Sequence, residues 1–165
     1  TPRWRTKNTF FKKVIFYTKN VVGEKMNIEQ FIEFIRDFVN KELSDRVVPG
    51  FEPSKMFLYG HCYDFTKIIK HFYKDAQIYI NKKRTHSVVK INGKLYDITG
   101  KIKEKEIYEL ANEEDFNYME EAFGTELMKN ASEYFIEELE KCNIKKYLID
   151  TSEKIIDKQN EDNER

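Results

Sequence analysis

Two cysteines and three histidines occur in the 165 residues, and three of these five fall within YGHCYDFTKIIKHFY, residues 59–73. Cys62 leads an apolar stripe at helical spacing: Phe65, Ile68, Ile69 and Phe72. The spacing predicts a helix over Cys62–Tyr73, with Cys62 in its first turn on the inward face. A thiol there meets the positive end of the helix dipole and backbone N–H groups without a partner inside the helix. Both favour the thiolate, the nucleophilic form, and such an N–H can donate to an oxyanion. The plainer alternative is a buried thiol acting as a small apolar side chain, the commoner state of cysteine.

An activated thiol needs a base, and the base needs an orienting group. THSVVKINGKLYDITG, residues 85–100, offers both. Asn92-Gly93 between two strand-like runs is the signature of a two-residue hairpin turn. That turn pairs Ile91 with Lys94, Val88 with Asp97 and His86 with Thr99. Side chains alternate, so His86, Val88, Asp97 and Thr99 share one face. His86 and Asp97 are then diagonal neighbours, with Cβ atoms roughly 7 Å apart or less, close enough for an imidazole–carboxylate hydrogen bond. The candidate catalytic residues are therefore Cys62 as nucleophile, His86 as base and Asp97 as orienting acid. The chemistry is attack of a thiolate on a carbonyl carbon.

The remaining candidates rank lower. His71 lies nine positions after Cys62, about half a circle away at about 100° per residue, and is expected to face solvent. Tyr59 and His61, just ahead of the helix, are candidates to shape the pocket and supply a second oxyanion donor. Cys142 is in helical register with Phe135 and Leu139 and reads as core. The sequence has no CxxC pair, no HExxH, no GxGxxG and no Walker pattern, so it calls for no metal or organic cofactor.

The elements that must position these residues read as α+β. Asn27 with Gln30 forms a variant capping box ahead of a helix to about Leu43. Residues 44–60, with two prolines and two glycines, read as a loop. After the Cys62 helix come three strands, AQIYINK, THSVVKI and KLYDITG. Beyond Gly100 the chain turns helical again, from Asn112 and from Leu127 to Cys142, with a short helix near residues 147–156. The expected architecture is a nucleophile-bearing helix packed on a small three-stranded antiparallel sheet, flanked by N- and C-terminal helices.

Composition sets outer limits. Apolar residues make up 40% and aromatics 15%, enough for one core without disulfide staples, and two cysteines point to a reducing, cytoplasmic setting. No apolar run approaches the roughly 18 residues of a membrane span. The formal net charge is zero, which gives no general pull toward nucleic acid or membrane. Residues 1–25 nevertheless hold seven basic side chains against Glu24 alone. They read as a basic extension ahead of a start at Met26, with a nucleic-acid arm as the weaker reading. The domain reading is thus an extension over 1–25, one α+β domain over 26–150 and a polar tail over 151–165.

GHCYDFTKIIKHF followed by THSVVKINGKLYDITG resembles the core of the papain-like and transglutaminase-like cysteine enzymes. There a Gly-x-Cys opens a helix, a histidine begins a later strand and an aspartate follows across a hairpin. The particular form, with HSVVKINGKLYD, resembles small proteins of bacteria and their phages. The resemblance covers about residues 57–100. It implies Cys62 as nucleophile, His86 as base and Asp97 as orienting acid, in a cysteine-dependent hydrolase or acyltransferase for amide, peptide or isopeptide bonds. A protein or peptide substrate, no cofactor and no membrane follow from it. The glutamine that papain-like members often carry ahead of the nucleophile is absent, since none lies between Gln30 and Cys62. The alternative is a non-enzymatic, partner-binding module of phage or mobile-element origin on the same fold. Its partner surface would be the acidic helices NEEDFNYMEEAF and SEYFIEELEK, although such a run is more often only a solvated helix face.

Overall fold

The computed structural model describes residues 26–103, 106–122 and 131–148. The readings of residues 1–25 and 151–165, of the start of the last long helix, and of most of the short helix near 147–156 lie outside them. Helix α1 spans Ile28–Glu42 and begins where the sequence marks it. The Asn27 Oδ1 accepts the Gln30 N–H and the Gln30 Oε1 accepts the Asn27 N–H, each at 2.9 Å. This reciprocal cap satisfies two of the donors a helix start leaves orphaned. One face of α1 then buries Phe31, Ile32, Phe34, Ile35, Phe38 and Val39.

The stretch between α1 and the next helix is more ordered than the expected loop. It holds two 3₁₀ segments, Ser44–Arg46 and Pro53–Phe57, the second with proline in its first turn. Gly60, at φ +96°, then redirects the chain in a left-handed conformation that L side chains rarely adopt. Helix α2 follows over Cys62–Phe72 and buries Cys62, Phe65, Ile68 and Ile69.

Strand β1 is Gln77–Asn81, β2 Ser87–Ile91 and β3 Lys94–Asp97. Asn92 and Gly93 both take positive φ, 51° and 75°, as a type I′ turn requires. The register is the one that turn dictates: Ile91 opposite Lys94 and Val89 opposite Tyr96. The sheet is larger than the expected three strands. Gly100–Lys101 forms β4 beside β3, and Tyr108–Leu110 forms β5 beside β1, giving an antiparallel order β4-β3-β2-β1-β5. Two- and three-residue strands are too short for alternation to register in a sequence. Helix α3 spans Glu113–Ala122 and helix α4 spans Ala131–Lys141. The described chain is thus α+β, with four α-helices and a five-stranded antiparallel sheet. No helix among the described residues is long and apolar enough to cross a membrane.

Helix α2 lies between β2 on one side and α4 on the other. Phe57 joins these layers, with ring centroids 5.9 Å from Phe65 of α2 and 6.0 Å from Phe135 of α4. Phe135 also meets Phe38 of α1 edge-on at 6.3 Å. A second, smaller cluster of Tyr63, Ile80, Ala111 and Met119 seats α3. Cys142 departs from the expected core position: α4 ends at Lys141, and Cys142 sits half-buried in the turn beyond it.

Truncating Phe57, 1% exposed and flanked by two rings, leaves a cavity that three elements line. Phe57→Ala should cost about 3–5 kcal/mol of stability, read as a lower denaturant midpoint at unchanged slope. A loss under about 1 kcal/mol would mean that the packing closes over the gap.

Candidate active site

One end of the sheet gathers the polar residues. Asn81 ends β1, His86 immediately precedes β2 and Asp97 ends β3, so all three lie opposite the Asn92-Gly93 turn. Tyr108 of β5 pairs with Asn81 at the same end. The His86 Nε2 meets the Asp97 Oδ2 at 3.1 Å, the contact expected from the hairpin register. With Nε2 committed to the carboxylate, Nδ1 is the ring nitrogen left for a second partner.

Each member of the pair is held from behind. The Asp97 Oδ1 accepts the Thr99 N–H at 2.8 Å and also the Thr99 hydroxyl. The Asn81 Oδ1 accepts the His86 N–H at 3.1 Å and the Thr85 N–H at 2.9 Å. The Asn81 Nδ2 donates to the Thr85 hydroxyl at 2.8 Å and to the Glu106 carboxylate at 3.1 Å. Arg84, at φ 54°, anchors the same turn to α3 by donating from Nε to the Asp115 carboxylate at 2.9 Å. The Tyr108 ring stands edge-on to the imidazole, centroids 6.4 Å apart.

Cys62 completes the row. It is 1% exposed and opens α2, and it lies near enough to His86 for each to shift the ionisation of the other. Burial pushes the thiol up, but the neighbouring His86 side chain with its charge, and the backbone and side chain of Ser87, bring it below its ordinary value. His86 is raised from 6.5 to about 9, first by the hydrogen bond to Asp97, then by that to Cys62, against burial. For Asp97, burial works upward and is outweighed by the hydrogen bonds from His86 and Thr99, so its pKa falls. All three shifts favour one charge state: thiolate, imidazolium, carboxylate.

The helper residues expected from sequence flank the start of α2 in different settings. Tyr59 is 71% exposed, and no side-chain hydrogen bond among the described residues ties it to the sulfur. His61 gives its Nδ1 to the Asp64 Oδ2 at 2.9 Å, and the Asp64 Oδ1 accepts the Ser132 N–H of α4 at 3.2 Å. That chain links the start of α2 to α4, so the His61 ring serves packing. His71 is less free than expected: its Nε2 meets the Glu140 Oε1 of α4 at 2.7 Å. Among the described residues no group of three histidine, cysteine, aspartate or glutamate side chains is placed to hold a metal ion.

Ser87 and Tyr108 are the residues that sequence reasoning missed. Ser87 is 1% exposed and beside the thiol. The Tyr108 hydroxyl is pushed up to about 12 by burial, by Glu106 and by the negative charges on Asp97 and Cys62. Ser87 adjoins His86 in the sequence, but nothing local marks it as a neighbour of the thiol. Tyr108 arrives through a three-residue strand that the sequence does not announce.

Residues 31–149, which is 119 of the 165, match the family described as Phage YunG-like protein. The chain belongs to that family. No curated protein and no solved structure matches it.

The His86–Asp97 pair makes a signed prediction. His86 has a folded pKa of about 9 against an ordinary 6.5. Its contribution to stability is therefore complete below 6.5 and lost as pH rises through about 9. Asp97, whose pKa is lowered from 3.8, contributes above that value and loses its contribution as pH falls below it. In Asp97→Asn the imidazole should titrate well below 9, back toward 6.5. Histidine ring NMR shifts against pH measure this directly, and an unmoved titration in the variant would remove Asp97 as the cause.

Proposed function

We propose that this Phage YunG-like protein is a cysteine-dependent hydrolase or acyltransferase acting on amide, peptide or isopeptide bonds. The observation that carries the reading is the continuous row from the Cys62 thiol through the His86 ring to the Asp97 carboxylate, with all three pKa values shifted toward the charged forms. The order of the elements also supports a papain-like or transglutaminase-like core: nucleophile at a helix start, histidine at the head of one strand, aspartate at the end of the next.

The chemistry follows from the charges. The Cys62 thiolate attacks the carbonyl carbon of the substrate, and the π electrons move onto its oxygen. The backbone N–H of Cys62, in the first turn of α2, has no acceptor within the helix and is the donor we assign to that oxyanion. The oxyanion collapses, the carbon–nitrogen bond breaks, and the His86 imidazolium gives its proton to the leaving amine. A thioester remains on Cys62. Water or an acceptor amine then attacks, His86 takes the incoming proton, and the sulfur leaves as thiolate. Asp97 keeps the ring in one orientation and stabilises its charged form.

A non-enzymatic partner-binding role draws on the acidic helices. Several of those charges are already spent within the chain. Glu114 and Asp115 meet Arg84, Glu120 meets Lys67 at 3.0 Å, and Glu138 meets Lys141 at 3.2 Å. The row at Cys62 brings together three titratable groups whose shifts all point to the charged forms, which favours the enzymatic reading.

The test is electrophilic labelling of the full chain with peptide and ubiquitin-like probes, followed by mass spectrometry. Wild type should gain one adduct on Cys62, and Cys62→Ala should gain none. Iodoacetamide should alkylate Cys62 at about pH 6 at least about ten times faster than a free thiol, of which well under one per cent is thiolate there. His86→Ala should lose most of that advantage. Equal rates for Cys62 and a free thiol at that pH would sink the reading.

A further inference from the structure

Ser87 opens β2 and is 1% exposed, and its hydroxyl oxygen is buried with no hydrogen-bond partner. A buried hydroxyl left unsatisfied carries its full desolvation cost, so alanine would fill the position more cheaply. A polar atom kept in such a place calls for a partner that the resting hydrogen bonds do not include.

Its direction follows from the strand. Side chains alternate, so Ser87 shares a face with Val89 and Ile91. Both pack in one cluster with Phe65, Ile68 and Ile69 of α2. Ser87 is therefore turned toward α2, the helix that opens with Cys62, while His86 stands ahead of β2 and is not bound by that alternation. The hydroxyl meets no strict hydrogen-bond geometry toward any atom, yet it lies close enough to the sulfur to act on it.

We propose that Ser87 is a charge-dependent donor to the Cys62 sulfur: its O–H turns onto Sγ when the thiol passes its proton to His86. A neutral thiol is a weak acceptor and a thiolate a strong one. The orphaned hydroxyl is thus matched to a charge present in only one protonation state. The same donor serves when the thioester breaks and the sulfur departs again as thiolate. No proton leaves Ser87 at either step. The backbone and side chain of Ser87 both act downward on the thiol, in keeping with this. The proposal deepens the cysteine-enzyme reading and rests on it, because it needs the thiolate to form.

The experiment is the pH profile of iodoacetamide alkylation of Cys62 in the full chain, for wild type, Ser87→Ala, Ser87→Thr and Ser87→Val. Ala removes the hydroxyl without adding volume. Thr and Val match each other in size and differ in the hydroxyl alone. The expected result is a wild-type inflection well below the ordinary thiol value of about 8.5. Ser87→Ala should move it upward by about one unit, slowing alkylation at about pH 6 about ten-fold, with no loss of thermal stability. Thr should lie nearer wild type than Val. An inflection in Ser87→Ala that matches a lowered wild-type value overturns the role of Ser87 and leaves the thiolate reading intact. A wild-type inflection at the ordinary value overturns the thiolate reading itself. If Ser87→Ala does not fold, equal inflections for Thr and Val overturn the proposal, and a lower one for Thr supports it.

Discussion

The hydrogen bond between His86 and Asp97 is the contact on which this end of the molecule depends. Cys62 and Asp97 are both acids in a buried setting, and burial alone would keep both neutral. An imidazolium between them reverses that for each. The hydrogen bond to the carboxylate is the first cause of the raised imidazole, and the bonds from the ring and Thr99 outweigh burial at the carboxylate. Each charge favours the others, so loss of any one shifts the others toward their neutral forms.

Much of the surrounding structure serves to fix the ring. Asn81 takes two backbone N–H groups of the turn that leads into His86, and Arg84 ties that turn to the Asp115 that caps α3. Asp115 also accepts the Asn112 N–H at 3.0 Å, while the Asn112 Oδ1 accepts the Asp115 N–H at 2.9 Å. One carboxylate thus starts a helix and anchors a turn. The hairpin acts as a ruler from the other side. A slip of one residue between β2 and β3 would move Asp97 to the opposite face from His86, and the positive φ angles at Asn92 and Gly93 hold the register that prevents it.

How legible the site was depended on the range of the interaction. Asn92-Gly93 sets a local turn, and a local turn sets a register, so the His86–Asp97 contact could be drawn from sequence alone. Helical periodicity likewise placed Cys62 on the inward face of α2. Ser87 and Tyr108 were not legible, because their meaning arises across elements. A serine in a β-branched run is unremarkable until α2 is laid over it. Tyr108 comes to the site through a ladder with β1 that joins residues nearly thirty apart in the chain. Adjacency says less at Tyr59 and His61: Tyr59 is largely exposed, and the His61 ring is bonded to Asp64. The aromatic joint at Phe57 was hidden for a similar reason, inside a stretch that reads only as punctuation.

The start of α2 shows how the charges at the site balance. Whenever Cys62 is ionised, a thiolate and a carboxylate flank a single imidazolium, and the row then carries one negative charge in excess. Helix N-termini are usually capped by a serine, threonine, aspartate or asparagine oxygen, and a missing cap costs about 0.5–2 kcal/mol. Here the cap position is His61, which makes no side-chain cap hydrogen bond to the helix; its ring is turned to Asp64 instead. A capping oxygen at that position would compete for the N–H groups of the first turn and set a second negative dipole beside the sulfur. Without one, the partial positive charge of the helix start remains to oppose the excess negative charge. The same N–H groups would then meet an oxyanion forming next to the sulfur. The bond that turns His61 to Asp64 ties α2 to α4 and, by the same move, leaves the N–H groups at the helix start open to an anion beside the sulfur.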